Sequence, residues 1–352
     1  MARQTLQFCT AADGTRIAIA SIGTGPPLLR AAHWLSHVEH DQGSPVWGPW
    51  LAALSRQHTY IRYDQRGCGL SDREPADLSL DAWVGDLEAV VDALGLGRFP
   101  LFGMSQGGAV AIAYAVRHPD KVSQLVLCGA YGRGALRRAE SATARLEAET
   151  LVNLIRLGWG RDNPAFRQVF TNQFIPGGTS AQHQWWNELE RLTASPEVAA
   201  RTLEAFHQVD VEGLAAQLAV PTLVLHARGD ARVPFEEGRR LAAIIPRARF
   251  VPLQSDNHVL LESESAWGQF LAELHGFLQP AVADAALPWL TPAEQAVLRL
   301  MAQGLDNAAI ASGLGKSEKT VRNQVSSIFD KLGVRTRAAA IVRAIGLLGP
   351  PP

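Results

Sequence analysis

The stretch Leu101-Phe102-Gly103-Met104-Ser105-Gln106-Gly107-Gly108 decides the architecture. An apolar run (98–103) leads into it, and an Ala-rich run with helical spacing (107–117) leads out. The G-x-S-x-G pattern therefore sits at a strand–turn–helix junction, the setting in which a strained elbow lifts a serine hydroxyl clear of a sheet. Glycine on both sides suits a turn so tight that a Cβ at either flank would collide. A Gly-rich turn with an idle serine would read the same, so the rest of the chain has to decide.

Outward from the junction, strand and helix patterns alternate. Strands are expected at 5–10 and 16–22, joined by a turn at Asp13-Gly14, and then at 27–32, 58–63, 98–103, 122–128, 220–226 and 248–253. Helical spacing marks 47–56, 80–94, 107–117, 235–245 and 262–278. This alternation predicts an α/β fold, a doubly wound and mostly parallel sheet covered on both faces. Between about 131 and 216 it stops, and a helical stretch rich in Trp and Phe (Trp159, Phe166, Phe170, Phe174, Trp185, Trp186, Phe206) reads as an inserted lid. The small, Ala/Pro-containing segment 279–289 reads as a linker between a domain over 1–278 and a small all-α domain over 290–352.

Composition narrows the classes. With 352 residues, 47% hydrophobic and 19% charged, the chain is long and apolar enough for a sizeable core, which excludes a disordered protein. A net charge of −1 excludes a polyanion binder as a whole, but the balance is uneven. From Trp289 onward there are eight Lys/Arg against four Asp/Glu, a basic module on an acidic body, which raises nucleic acid as a partner. Cys9, Cys68 and Cys128 lie far apart without CxxC spacing, so neither a disulfide framework nor a cysteine zinc site is expected. The N-terminal MARQTLQF lacks an apolar core, and no apolar run approaches the ~18 residues of a membrane span. A cytoplasmic protein without a membrane partner is expected.

A serine hydroxyl attacks a carbonyl only when a base takes its proton and an acid orients that base. In this topology the acid precedes the histidine along the chain. Asp230, in HARGDARVPFEEG, follows one predicted strand, and His258, in LQSDNHVLLESE, follows the next. Both fall in loops at carboxyl strand ends, where parallel sheets place their chemistry. Ser105, Asp230 and His258 are thus the candidate catalytic residues. His226 and His275 are poorer bases because one falls in a strand and the other in a helix. Asp256 stands only two residues before His258 and is badly placed to reach its far ring nitrogen.

DQRGCGLSD (64–72), GMSQGG (103–108), GDARVPF (229–235) and DNHVLLE (256–262) resemble the α/β-hydrolase superfamily across roughly 5–278. The resemblance implies that Asp64 and Arg66 brace the loop beneath the site, and that the backbone N–H groups of Trp34 and Gln106 form an oxyanion hole. Where the family usually carries His-Gly, this chain has Ala32-His33-Trp34, which bears on the aim of one donor. Pocket-lining side chains are expected from His33, Trp34 and Met104 beside the nucleophile and from Trp159, Trp185 and Trp186 of the lid, favouring a small apolar ligand. The run His33–Asp41 holds three imidazoles and two carboxylates that zinc could use. A hydrogen-bonded rim loop explains the same composition, and no metal or other cofactor is expected.

The C-terminal stretch carries its own punctuation. Thr291-Pro292-Ala293-Glu294 is a capping box with proline at the first helical position, and the helix it opens buries Val297, Leu298 and Met301. Asp306 caps a short second helix, Gly313-Leu314-Gly315 makes a turn, and Ser317 caps a third helix to about Leu332. A fourth follows Thr336. Short helix, glycine turn and longer helix make a helix-turn-helix. The run LTPAEQAVLRLMAQGLDNAAIASGLGKSEKTVRNQVSSIFDKLGVRTRAAAI resembles the LuxR/FixJ-type DNA-binding domain nearly end to end. That resemblance sends the third helix into the major groove. Arg322, Asn323 and Ser326 share a face suited to base edges. Lys316, Ser317, Lys319, Thr320, Lys331 and Arg335 suit phosphates. Ala340, Ile341, Ala344 and Ile345 of the fourth helix form the expected self-association face, implying a homodimer on double-stranded DNA.

Two functions stay open on the sequence. One is a LuxR-type transcriptional regulator whose hydrolase-fold domain binds, with or without hydrolysing, a small apolar ester, lactone or amide. The other is an active serine esterase or lactonase with an accessory DNA-binding tail.

Overall fold

The computed structural model describes residues 3–278 and 290–348. The expected linker, 279–289, lies outside the described residues. The chain divides into two compact units, Met1–Leu274 and His275–Pro352.

In the first unit, eight strands form one sheet: β1 (Thr5–Thr10), β2 (Arg16–Ile22), β3 (Pro27–Ala31), β4 (Thr59–Tyr63), β5 (Phe99–Met104), β6 (Val122–Cys128), β7 (Thr222–Ala227) and β8 (Arg249–Leu253). Their spatial order is β1-β2-β4-β3-β5-β6-β7-β8. β2 runs antiparallel to both β1 and β4, and all other pairs are parallel. Strands inside a covered parallel sheet meet side chains on both faces, which is why β7 reads TLVLHA and is buried throughout. The edge strand β1 is largely exposed.

Helices α1 (Trp47–Leu54), α2 (Leu80–Ala93) and α3 (Gly107–Arg117) connect the first half of the sheet. The Ser79 side chain caps α2 by accepting from Ala82 N–H. Between β6 and β7 come α4 (Ala135–Arg138), α5 (Ala142–Gly158), α6 (Ala165–Phe174), α7 (Ser180–Thr193), α8 (Pro196–Gln208) and α9 (Glu212–Ala215), the segment read as a lid. Three of the four long lid helices are capped by their sequence: Ser141 caps α5, Thr179 and Gln182 close a capping box on α7, and Ser195 with Pro196 opens α8. Helices α10 (Phe235–Ile244) and α11 (Ser265–Leu278) complete the series.

Because β3, β5, β6, β7 and β8 are consecutive neighbours, the loops after them stand in a row along one edge. Residues 33–34, Ser105, Gly129, Asp230 and His258, scattered over more than 220 positions of sequence, are thereby delivered to one place.

The second unit contains α12 (Pro292–Ala302), α13 (Asn307–Gly313), α14 (Glu318–Leu332) and α15 (Arg337–Leu348). Val297, Leu298, Met301, Ile310, Val321, Val325, Ile328 and Leu332 fill its core. On α14 the buried positions recur every three or four residues, which leaves the opposite face to solvent. Gly333 takes φ +63° and ends α14 in the left-handed cap that glycine adopts without strain. One expectation fails here. Ala340 is buried in the module's own core and Ile341 packs against it, so neither forms a free self-association face. The side chains of Ala344 and Ile345 lie outside the described residues. No described helix is long and apolar enough to cross a membrane.

Candidate functional site

Ser105 follows β5 at φ +54°, a left-handed conformation unusual for a residue with a side chain. The surroundings enforce it. A Cβ on Gly103 would come within 2.8 Å of Gly108 Cα, and one on Gly107 within 2.8 Å of Ala32 O. The Ser105 N–H donates to Cys128 O at 3.0 Å, tying the elbow to the end of β6. The neighbouring Gly129 has φ +56°, and a Cβ built on it would lie 3.0 Å from His258 Cε1 and 3.6 Å from Asp230 Oδ2. Nucleophile candidate, imidazole and carboxylate thus gather around Cys128 and Gly129.

His258 Nδ1 lies 2.7 Å from Asp230 Oδ2, and both side chains are buried. The other carboxylate oxygen, Oδ1, accepts the N–H groups of Arg232 (2.9 Å) and Val233 (2.8 Å). Burial alone would raise the Asp230 carboxyl, but the His258 imidazole, His226 and these donors hold it below its ordinary value. His226 stands 3.5 Å from Asp230 Oδ2 and binds Val233 O at 3.0 Å, so the strand histidine braces the acid instead of serving as the base. His258 Nε2 is buried and makes no hydrogen bond among the described residues. The backbone N–H groups of Trp34 and Gln106 have no partner among the described residues, and Gln106 precedes α3, where first-turn donors lack intrahelical acceptors.

A narrow chamber lies over Ser105, with room as it stands for little more than a water molecule. Trp34, Ser105 and Gln106 form its floor, Tyr131, Phe174 and Phe206 its aromatic wall, and Arg138, His207 and Arg232 its polar side. This corrects the expected lining. Of the six anticipated side chains only Trp34 faces the chamber. Trp159 stacks on Trp34 from behind (ring centroids 5.4 Å, 8° between planes). Trp186 is buried against Trp47 and Phe174, and Met104 is buried in the core. Trp185 stacks on His40 at 5.0 Å, away from the chamber. The His33 ring packs on Trp47, its Nδ1 hydrogen-bonds Trp34 O at 3.0 Å, and burial drives its pKa well below the usual imidazole value, so it is neutral.

The zinc alternative for 33–41 disperses in the fold. His33 turns to Trp47, His40 to Trp185, and Asp41 pairs with Arg62 at 2.8 Å. Asp64 accepts Val38 N–H and Leu70 N–H, and Arg66 grips Asp86 and Asp13, so both brace the loop.

On α14, Lys319, Thr320, Arg322, Asn323 and Ser326 are exposed, as is Arg335 beyond it. Ser317 accepts Thr320 N–H and caps the helix, and half-buried Lys316 bonds Gln324 Oε1. Lys331 departs from its expected role. Its ammonium sits 2.7 Å from Glu294 Oε2, closing the capping box of α12 onto α14, so it is committed within the fold and not left for phosphate.

Comparison with known proteins accords with both units. The model for the alpha/beta hydrolase fold matches residues 40–265, and that for bacterial regulatory proteins of the luxR family matches 288–344. The chain is similar to 2-hydroxymuconate semialdehyde hydrolase of Pseudomonas sp. (strain CF600), 31% identical over 258 residues, covering 68% of this chain and 82% of the relative. It is also similar to pyrrolizixenacetamide deacetylase of Xenorhabdus hominickii, at 27% identity over 73% of this chain and 92% of the relative. Among solved structures, an esterase from Rhodococcus sp. ECU1013 superposes with a TM-score of 0.65 at 26% identity, over 78% of this chain and 98% of its own.

Proposed function

This chain belongs to the α/β-hydrolase family and carries a luxR-family DNA-binding module, and on that premise we propose a transcriptional regulator that binds and hydrolyses a small ester, lactone or amide. Ser105 Oγ attacks the carbonyl carbon while its proton passes to His258 Nε2. Asp230 fixes the imidazole tautomer and stabilises the imidazolium. The N–H groups of Trp34 and Gln106 receive the developing oxyanion. Collapse expels the alcohol or amine, which takes the proton from His258, and water then releases the acyl group by the same steps in reverse.

The observation that carries this reading is the Asp230–His258 hydrogen bond, with Nε2 unpartnered among the described residues and the imidazole packed on Gly129, next to the Cys128 carbonyl that holds Ser105. The domains are assigned as 1–278, 279–289 and 290–352. The C-terminal module binds double-stranded DNA in the cytoplasm as a homodimer, with Arg322, Asn323 and Ser326 toward bases and Lys316, Lys319, Thr320 and Arg335 toward phosphates. Occupation of the chamber alters DNA affinity only if the ligand binds one conformational state better than the other.

A second reading, an esterase whose DNA-binding tail is accessory, is favoured by the enzymatic names of the relatives. Titrating operator DNA in the presence and absence of a hydrolysable ester separates the two. A regulator shifts its DNA affinity with ligand and keeps that shift in Ser105→Ala, which loses turnover. An accessory tail gives one DNA affinity under every condition.

A further inference from the structure

The chamber's polar side carries two guanidinium groups that form no ion pair among the described residues. Arg138 donates Nη1 to Arg133 O at 2.9 Å and lies over the Tyr131 ring at 5.7 Å. Arg232 donates Nη1 to Gln173 Oε1 at 3.3 Å and lies over Phe174 at 5.7 Å. Neither guanidinium forms an ion pair with a described carboxylate. The carboxylates nearby are taken: Asp230 by His258, and Glu212 and Glu237 by Arg133. His207 lines the chamber with them, only 3% exposed, with both ring nitrogens buried and unpartnered among the described residues. Burial, with the charges of Arg232 and Arg138, pushes its pKa down to about 3, so the imidazole is neutral and has one N–H to donate. A half-buried cation pair without an anion is costly unless something supplies the negative charge.

A second feature extends the site. Arg138, His207 and Arg232 also line a surface groove that continues outward along α5 and α6, walled by Leu146, Leu151, Leu154 and Val169. Glu147 is the carboxylate on that groove and is exposed at its rim.

We propose that this hydrolase chamber takes a carboxylate-bearing ester or lactone, its anion held between Arg138 and Arg232 with a hydrogen bond from His207. The apolar remainder of the ligand lies along the α5–α6 groove, and the scissile carbonyl reaches Ser105. Guanidinium groups present paired N–H donors that match a carboxylate. The assignment replaces the purely apolar ligand expected from the lid aromatics, and it rests on the hydrolase reading for its placement of the carbonyl.

The test uses the full chain with two esters of matched length, the mono-4-nitrophenyl ester of adipic acid and 4-nitrophenyl hexanoate. The expected kcat/KM is at least tenfold higher for the anionic ester. The ratio of the two values falls at least tenfold in Arg138→Gln and in Arg232→Gln, chiefly through KM. Arg232 also caps Asp230 through its backbone, so Arg138→Gln is the cleaner arm. A wild-type ratio at or below one, or a ratio that neither substitution moves, overturns the proposal while leaving the hydrolase reading intact. Calorimetric binding of monoethyl adipate to Ser105→Ala keeps the two separable. If neither ester is turned over but this binding weakens at least fivefold on adding Arg138→Gln, the anion site stands and the hydrolase reading falls. Absence of both turnover preference and Arg138-dependent binding overturns the anion site.

Discussion

His258 Nδ1 and Asp230 Oδ2 are 2.7 Å apart in a buried setting, 28 residues apart in sequence, and joined only because β7 and β8 are neighbours in the sheet. The contact favours the tautomer with the proton on Nδ1 and leaves Nε2 without a hydrogen-bond partner among the described residues. Asp230→Asn keeps the volume but supplies an amide that favours the opposite tautomer. Steady-state kinetics with 4-nitrophenyl butyrate should show kcat reduced by about 10³- to 10⁴-fold with KM changed little. A loss below tenfold would mean that His258 is oriented by something other than this acid.

The elbow's packing is tested at Gly108, three residues after Ser105. A Cβ on Gly108 would come within 2.4 Å of Ala130 Cβ, closer than such atoms ever stand. Both residues sit in buried, well-packed backbone, so Gly108→Ala must displace α3 or the loop after β6. The expected cost is about 1–3 kcal/mol, the range for overpacked cores. Calorimetry of the full chain should show the hydrolase-unit transition lowered by several degrees. An unchanged transition would show that the elbow gives way freely.

How far the sequence could be read follows from which forces act locally. The placement of Ser105, Asp230 and His258 in loops along one edge of the sheet was legible because strand periodicity and turn chemistry are local, and neighbouring strands then carry their loops together. The chamber lining was not. Trp159 and Phe206 both lie at helical spacing in an aromatic lid, and only packing decides that one stacks on Trp34 while the other lines the chamber with Ser105. Arg232 stands two residues from the candidate acid, yet nothing in its neighbours signals that it lacks a counter-ion. Lys331 looked free for DNA because its partner, Glu294, lies 37 residues earlier on another helix. Side-chain pairing across elements is long-range information that patterns along a chain do not carry.

That Lys331–Glu294 pair gives the second unit a pH dependence. The Lys331 ammonium, the Ser327 hydroxyl and the Thr291 N–H hold the buried Glu294 carboxyl down to about 2. A folded-state value below the unfolded one, about 4.3, contributes stability that is fully present above the unfolded value and lost as pH falls through the folded one. Glu294→Gln should therefore destabilise the C-terminal unit by about 1–2 kcal/mol at pH 7. The gap between wild type and variant should narrow to less than about half by pH 3. Far-UV melting of the full chain at both pH values reads this, and a gap independent of pH would remove the ion pair as its source.

On the exposed face of α14, Arg322 and Lys319 differ in what their geometry lets them read. Arg322 stands one turn into α14, where among the described residues its guanidinium pairs only with the exposed Glu318 at 3.7 Å, a contact that a guanine edge would replace. Lys319 lies in the first turn and carries a compact ammonium, a point charge suited to a phosphate and without the paired donors that read a guanine. Arg322→Ala should cost about 1–3 kcal/mol on the preferred operator and much less on unrelated DNA, relaxing base choice. Lys319→Ala should weaken all sequences alike and reduce the slope of log K against log salt by about 1. Fluorescence anisotropy on a selected operator and a scrambled duplex, across a salt series, separates the two. If both substitutions flatten the salt slope equally and leave the operator-to-scrambled ratio unchanged, α14 holds the backbone only, and the base-reading residues lie elsewhere on the module.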